Sequence, residues 1–147
     1  MAIERAPDVE AIVREANDAW RRGDIEALER MTSSSDAVLM VGTDPSEIWR
    51  GPQQAIEGLH QALDETEGGG PRSRTEDVTA YRAGDIAWTF EVGVFTVEGA
   101  DVSFRTVSVL HREDGEWKYV QSVASLSVPN AAWTKPGAPI LETLAAR

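Results

Sequence analysis

The 147-residue chain contains no cysteine, which removes disulfides, thiol nucleophiles and thiolate metal sites from consideration and fits a reducing compartment. It is poor in positive charge, with 14 Lys and Arg against 25 Asp and Glu, and the basic residues are scattered. No electrostatic footprint for phosphate backbones or anionic lipid results, so nucleic acid and membrane are excluded as expected partners. Only two histidines are present, His60 and His111, which argues against a zinc or iron site. The N-terminus carries Glu4, Asp8 and Glu10 where a signal peptide needs basic and then apolar residues. No window has the apolar length of a membrane span, and a cytoplasmic location is expected.

What is present suffices for one domain with a real core, since 41% of the residues are hydrophobic. Val9, Ile12, Val13, Ala16 and Trp20 recur at helical spacing after Pro7. Gly23 suits a left-handed helix end, and Asp24 suits the cap of a short second helix that buries Ile25, Leu28 and Met31. Residues 37–42, AVLMVG, read as a short strand, and TDPSEIWRG follows as a loop holding Trp49. Pro52 opens a third helix with Ile56, Leu59 and Leu63 as its stripe. EGGGPRSRT, residues 67–75, reads as a mobile loop.

From residue 76 the pattern is strand after strand, over 76–81, 86–97, 102–112 and 117–128, separated by hairpin-sized turns. Helices first and an antiparallel meander afterwards predict an α+β domain over residues 1–130. Residues 131–147 make a proline-rich tail whose Ile140–Ala146 segment can form a short helix, with Trp133, Ile140 and Leu141 docking it.

A two-residue turn at Gly99-Ala100 places Trp88, Phe90, Val92 and Val94 on one face with Ser103, Arg105, Val107 and Val109. If parity holds across the Asp114 turn, Tyr119, Gln121, Val123 and Ser125 join them. This mostly apolar wall with a few polar groups is the expected side of a small-molecule pocket. Glu91, Thr106 and Ser108, with Phe95, Val97, Phe104 and Leu110, fall on the other face, which suits a dimer interface.

Three segments carry a family resemblance: WRRGDIEAL (20–28), VGTDPSEIWRG (41–51) and RTVSVLHREDGEWKYVQSVAS (105–125). Together with the meander they resemble the SnoaL-like branch of the nuclear transport factor 2-like superfamily. The resemblance implies N-terminal helices packed on a strongly curved antiparallel sheet, a cone-shaped barrel with an internal pocket, and a homodimer through the outer sheet face. Such proteins include isomerases, cyclases and dehydratases as well as proteins with no demonstrated reaction. Many of them carry His-x-Ser on the last strand, where this chain has Val123-Ala124-Ser125.

Without that histidine, acid-base chemistry falls to carboxylate, phenol and guanidinium. Asp44 is the candidate base, raised by enclosure among Trp49, Trp88 and Met40, with Arg105 and Tyr119 stabilising a developing anion. Trp20, Met40, Trp49, Trp88, Phe90, Gln121, Val123 and Ser125 are the expected ligand contacts. The competing reading makes Thr43-Asp44-Pro45-Ser46 a turn in which the aspartate bonds its own backbone, and Arg105 an ion-pair partner of Asp44 or Glu47. The two expected functions are a cofactor-independent isomerase, cyclase or dehydratase acting on an apolar carbonyl compound, and a non-catalytic dimeric ligand-binding or scaffold protein.

Overall fold

The computed structural model describes residues 1–65, 72–97 and 99–140. Its helices are α1 (Pro7–Arg22), α2 (Ile25–Met31), α3 (Gly51–Glu65) and the short α4 (Ala131–Thr134). Its strands are β1 (Glu4–Arg5), β2 (Leu39–Val41), β3 (Ile48–Arg50), β4 (Arg72–Ala83), β5 (Ile86–Val97), β6 (Ala100–Glu113) and β7 (Glu116–Leu126). They form one seven-stranded mixed sheet in the order β1-β4-β5-β6-β7-β2-β3. The fold is α+β, with the N-terminal helices and the meander in the expected chain order.

The opening helices follow from local chemistry. Pro7 stands in the first turn of α1, and the helix buries Val9, Val13, Ala16 and Ala19. Gly23 ends it at φ 68°, and the amides of Gly23 and Asp24 cap the carbonyls of Trp20 and Ala19. Asp24 then accepts from the Ala27 amide at 3.1 Å and starts α2.

Three elements depart from the sequence reading. The TDPSEIWRG segment is not merely a loop: Ile48–Arg50 folds back on β2, pairing Met40 with Trp49. Strand β2 in turn runs parallel to β7, with Leu39 opposite Gln121 and Val41 opposite Val123. This long-range pairing joins segments about eighty residues apart, which no local pattern announces. Residues 72–75, expected in a mobile loop, belong to β4 and pair with Thr96 to Gly93 of β5. The remainder of that expected loop, and most of the expected C-terminal helix with Leu141, lies outside the described residues.

Across β5 and β6, Trp88 pairs with Val109 and Val97 with Ala100, a slide of two residues from the expected register. A slide of two preserves parity, so the expected face mates stay together. The faces, however, are reversed. The helices cover the face of Ala87, Thr89, Glu91 and Gly93, with Phe104, Thr106, Ser108 and Leu110 beside them, while Trp88, Phe90, Val92 and Arg105 point away. The reason is packing volume. Ala80 and Ala87, both fully buried, let Ala6 and Val9 of the α1 region close onto the sheet with Leu110 and Trp117, where larger side chains would hold the helix off.

A bulge between Val109 and Leu110 alters the last strand as well. Tyr119 sits opposite Leu110 and joins the helix-covered face, whereas Gln121, Val123 and Ser125 pair with Val109, Val107 and Arg105 on the outer face. The expected common side of these four β7 residues is therefore split by the bulge. In the tail, Trp133 is 48% exposed and does not dock, although Ala138 is buried.

Candidate functional site

Between the three longer helices and the covered sheet face lies a cavity of about 500 Å³. Trp20 of α1, Leu28 and Met31 of α2, and Leu59 of α3 supply its apolar wall. Met40 and Trp49 of the β2–β3 hairpin close one side, and the sheet contributes Glu91, Thr106, Ser108, Tyr119, Ser122 and Ala124. This size and mixture suit a small, mostly apolar molecule oriented by a few polar groups. Along the second half of β7 the side chains alternate: Ser122 and Ala124 face the cavity, Gln121 and Val123 face outward.

Glu91 is the charged group buried deepest in this wall, only 5% exposed in the centre of β5. Its Oε1 accepts from Asn17 Nδ2 at 2.6 Å and from Thr75 Oγ1 at 3.0 Å. Asn17 Nδ2 also approaches Thr75 Oγ1 at 2.7 Å. Burial raises the Glu91 carboxyl above the ordinary glutamate range, and the donors from Thr75 and Asn17, with the more distant Arg14 charge, offset part of that rise. Tyr119 is half-buried at the cavity wall, and its burial, followed by the nearby Glu91 charge, pushes its phenol above the usual range. The phenol is therefore a neutral hydrogen-bond donor at any physiological pH.

Of the expected site residues, the fold brings Trp20, Met40, Trp49 and Tyr119 to the cavity. Asp44 is elsewhere: it is exposed, and its Oδ1 accepts from the Ser46 amide at 2.9 Å and the Ser46 hydroxyl at 2.6 Å. Such a turn uses the carboxylate to cap its own backbone. Arg105 is also exposed, on the outer face between Val92 and Ser125, and among the described residues it forms no ion pair with Asp44 or Glu47. Trp88 stacks on Tyr81 with centroids 6.4 Å apart, outside the cavity, and Phe90, Gln121, Val123 and Ser125 share that outer face. His60 meets Glu29 of α2 at 2.8 Å and His111 meets Glu113 at 3.4 Å, and neither histidine lines the cavity. Among the described residues no group of three or more His, Asp or Glu is arranged to hold a metal ion, and no helix is long and apolar enough to cross a membrane.

Sequence reasoning overlooked Asn17 and Thr75, and it assigned Glu91, with Thr106 and Ser108, to a dimer face, whereas the helices cover that face and these three line the cavity. Glu91 and Asn17 left a trace. Glu91 is the one charge in the strand IAWTFEVGVFTV, and Asn17 falls four residues after Val13, inside the apolar stripe of α1. A polar group in such a place requires a buried partner.

A SnoaL-like domain profile matches residues 9–129, and the chain belongs to that family within the nuclear transport factor 2-like, cystatin-like fold superfamily. Solved structures agree on the fold. A nuclear transport factor 2-like protein of unknown function from Pseudomonas putida KT2440 aligns with a TM-score of 0.69 at 15% identity, covering 86% of this chain and 92% of that one. A protein named as a putative dehydratase of the same superfamily, from Streptomyces avermitilis, gives 0.66 at 19% identity, covering 84% and 100%. One named as a putative ketosteroid isomerase, from Parabacteroides distasonis ATCC 8503, gives 0.65 at 15% identity, covering 80% and 86%. No curated protein matches the chain in sequence.

Proposed function

We propose that this chain is a cofactor-independent acid-base enzyme, an isomerase, cyclase or dehydratase, acting on an apolar carbonyl compound. The reading takes residues 1–130 as the functional unit, an open cone whose interior is the cavity, and residues 131–147 as a tail. The observation that carries it is Glu91, a carboxyl raised by burial in the wall of a mainly apolar cavity. A carboxylate so raised is a stronger base than one in water, and near neutrality it can take a proton from carbon beside a carbonyl and return it. Tyr119, neutral and lining the same cavity, is the donor that stabilises the enolate oxygen formed in that step. Trp20, Met40 and Trp49 supply the flat apolar contacts that bind the rest of the molecule. The dehydratase and ketosteroid isomerase names carried by two structural relatives lie in the same class of chemistry.

The partner assigned to the outer sheet face is a second copy of the chain. Phe90, Val107 and Val123 stand 42%, 51% and 36% exposed there, a cluster of apolar surface that association would cover.

The test is exchange of the protons beside the carbonyl into heavy water across a panel of flat, apolar cyclic ketones. The wild-type chain should accelerate exchange for at least one of them, and Glu91→Gln should slow that reaction by roughly a hundredfold or more. Ketones that bind, read by quenching of the tryptophans, without any exchange would overturn the catalytic reading and leave a non-catalytic ligand-binding protein.

A further inference from the structure

The two oxygens of Glu91 are not equivalent. Oε1 is held from behind by two side chains on different elements, Asn17 on α1 and Thr75 on β4, at 2.6 and 3.0 Å. Oε2 accepts no hydrogen bond from any described residue. The same two holders also line a separate groove of about 320 Å³ between α1 and the start of β4, bordered by Arg14, Asp18, Arg21 and Arg74. Glu91 faces the cavity and not this groove, so Asn17 and Thr75 form the partition between the two spaces.

We propose that Asn17 and Thr75 are positioning residues that clamp Glu91 through Oε1 and so leave Oε2 as the atom that meets a ligand in the cavity. The inference rests on the reading of Glu91 as the base and supplies what that reading needs, a carboxylate fixed in one orientation. Two donors on one oxygen fix the rotation of the carboxylate plane, because turning it would break both bonds at once. They also favour the ionised form and so set how basic the group is. The other charged or titratable groups around Glu91 are few. Arg14 lies on the α1 side, Tyr119 on β7, and Glu47 and Glu65 line the same cavity from the β2–β3 turn and α3. The bulge in β4 between Thr75 and Asp77 accompanies this arrangement, keeping Thr75 opposite Gly93 while Val78 returns to register opposite Glu91.

The experiment is a titration of the Glu91 carboxyl carbon by NMR in the full chain, with Glu91→Gln identifying the signal. Thr75→Val keeps the side-chain shape and removes the donor, and it should raise the midpoint by roughly one pH unit. Asn17→Leu should shift it in the same direction, and Thr75→Ser, which restores a hydroxyl, should bring it back. A midpoint unmoved by Thr75→Val in a folded protein would overturn the clamp. This readout needs no substrate, so its failure is separable from failure of the base. Shifted titrations with proton exchange unaffected by Glu91→Gln would keep the clamp and remove the catalytic role it serves, leaving Oε2 as a binding atom only.

Discussion

The α-carbon of Gly58 lies against the indole of Trp49: a β-carbon at position 58 would stand 2.5 Å from Cε2 and 2.7 Å from Cδ2 of that ring. Helix α3 thus carries a glycine where its propensity disfavours one, and the gain is a close approach that lets Trp49 form the cavity wall. Gly58→Ala gains up to about 1 kcal/mol in helix propensity and loses about 1–3 kcal/mol to overpacking. A net loss near 1 kcal/mol is expected, together with a changed Trp49 fluorescence. Combined with Trp49→Leu the penalty should vanish, and additive losses in denaturant titration would refute the contact as its cause.

Stability should carry the signature of Glu91. A carboxyl raised by folding stabilises the protein fully below its unfolded pKa, near 4.3, and that contribution is lost as pH rises through the folded value. Each unit of the rise corresponds to about 1.4 kcal/mol. Glu91→Gln keeps an acceptor for Asn17 and Thr75 and does not ionise. Its stability relative to wild type should therefore increase from pH 4 upward and then level off, and parallel curves in urea denaturation at several pH values would contradict the buried carboxylate.

The opposite sign is expected at the other end of the core. Trp117 Nε1 donates to Asp8 Oδ2 at 3.1 Å, and the Arg112 guanidinium sits 4.5 Å above the indole. Burial raises Asp8, but the Trp117 N–H, backbone amides and Arg82 more than offset it and hold the carboxyl below its usual range. Trp117→Phe should cost about 1–2 kcal/mol at neutral pH. Part of that cost should disappear as pH falls through the folded value for Asp8, because the ionised acceptor is then gone.

If the outer sheet face covers a second copy, light scattering should report a dimer, and Val107→Lys should yield monomers at the same concentration. The charge would be placed at the centre of the apolar cluster formed with Phe90 and Val123, its partners across β5 and β7. A monomeric wild type would exclude this assignment.

Asp44 and Arg105 give a direct comparison of two placements. Asp44→Asn and Arg105→Ala should leave ketone exchange within about twofold of wild type, since neither side chain lines the cavity. A hundredfold loss in either would move the chemistry to the loop that the sequence singled out.

Much of this fold is written locally. Pro7, Gly23 and Asp24 mark the helix ends by their own backbone chemistry, and the apolar spacing of α1 and α3 and the turn residues of the meander set the elements and their order. The partition of β5 and β6 into two faces is equally local, because alternation survives a register slide of two. Which face the helices cover is not local: aromatic Trp88 and Phe90 look like a pocket wall, yet the small Ala80 and Ala87 decide the matter by admitting α1. The bulge at Val109 and the parallel pairing of β2 with β7 are likewise settled between distant segments. So is the meeting of Asn17, Thr75 and Glu91, which are separated by up to 74 residues in the chain and share one buried oxygen in space. The sequence alone determined that this is an α+β domain without thiol chemistry. Tertiary packing decided which carboxylate it buries, because desolvation belongs to an environment that no single segment contains.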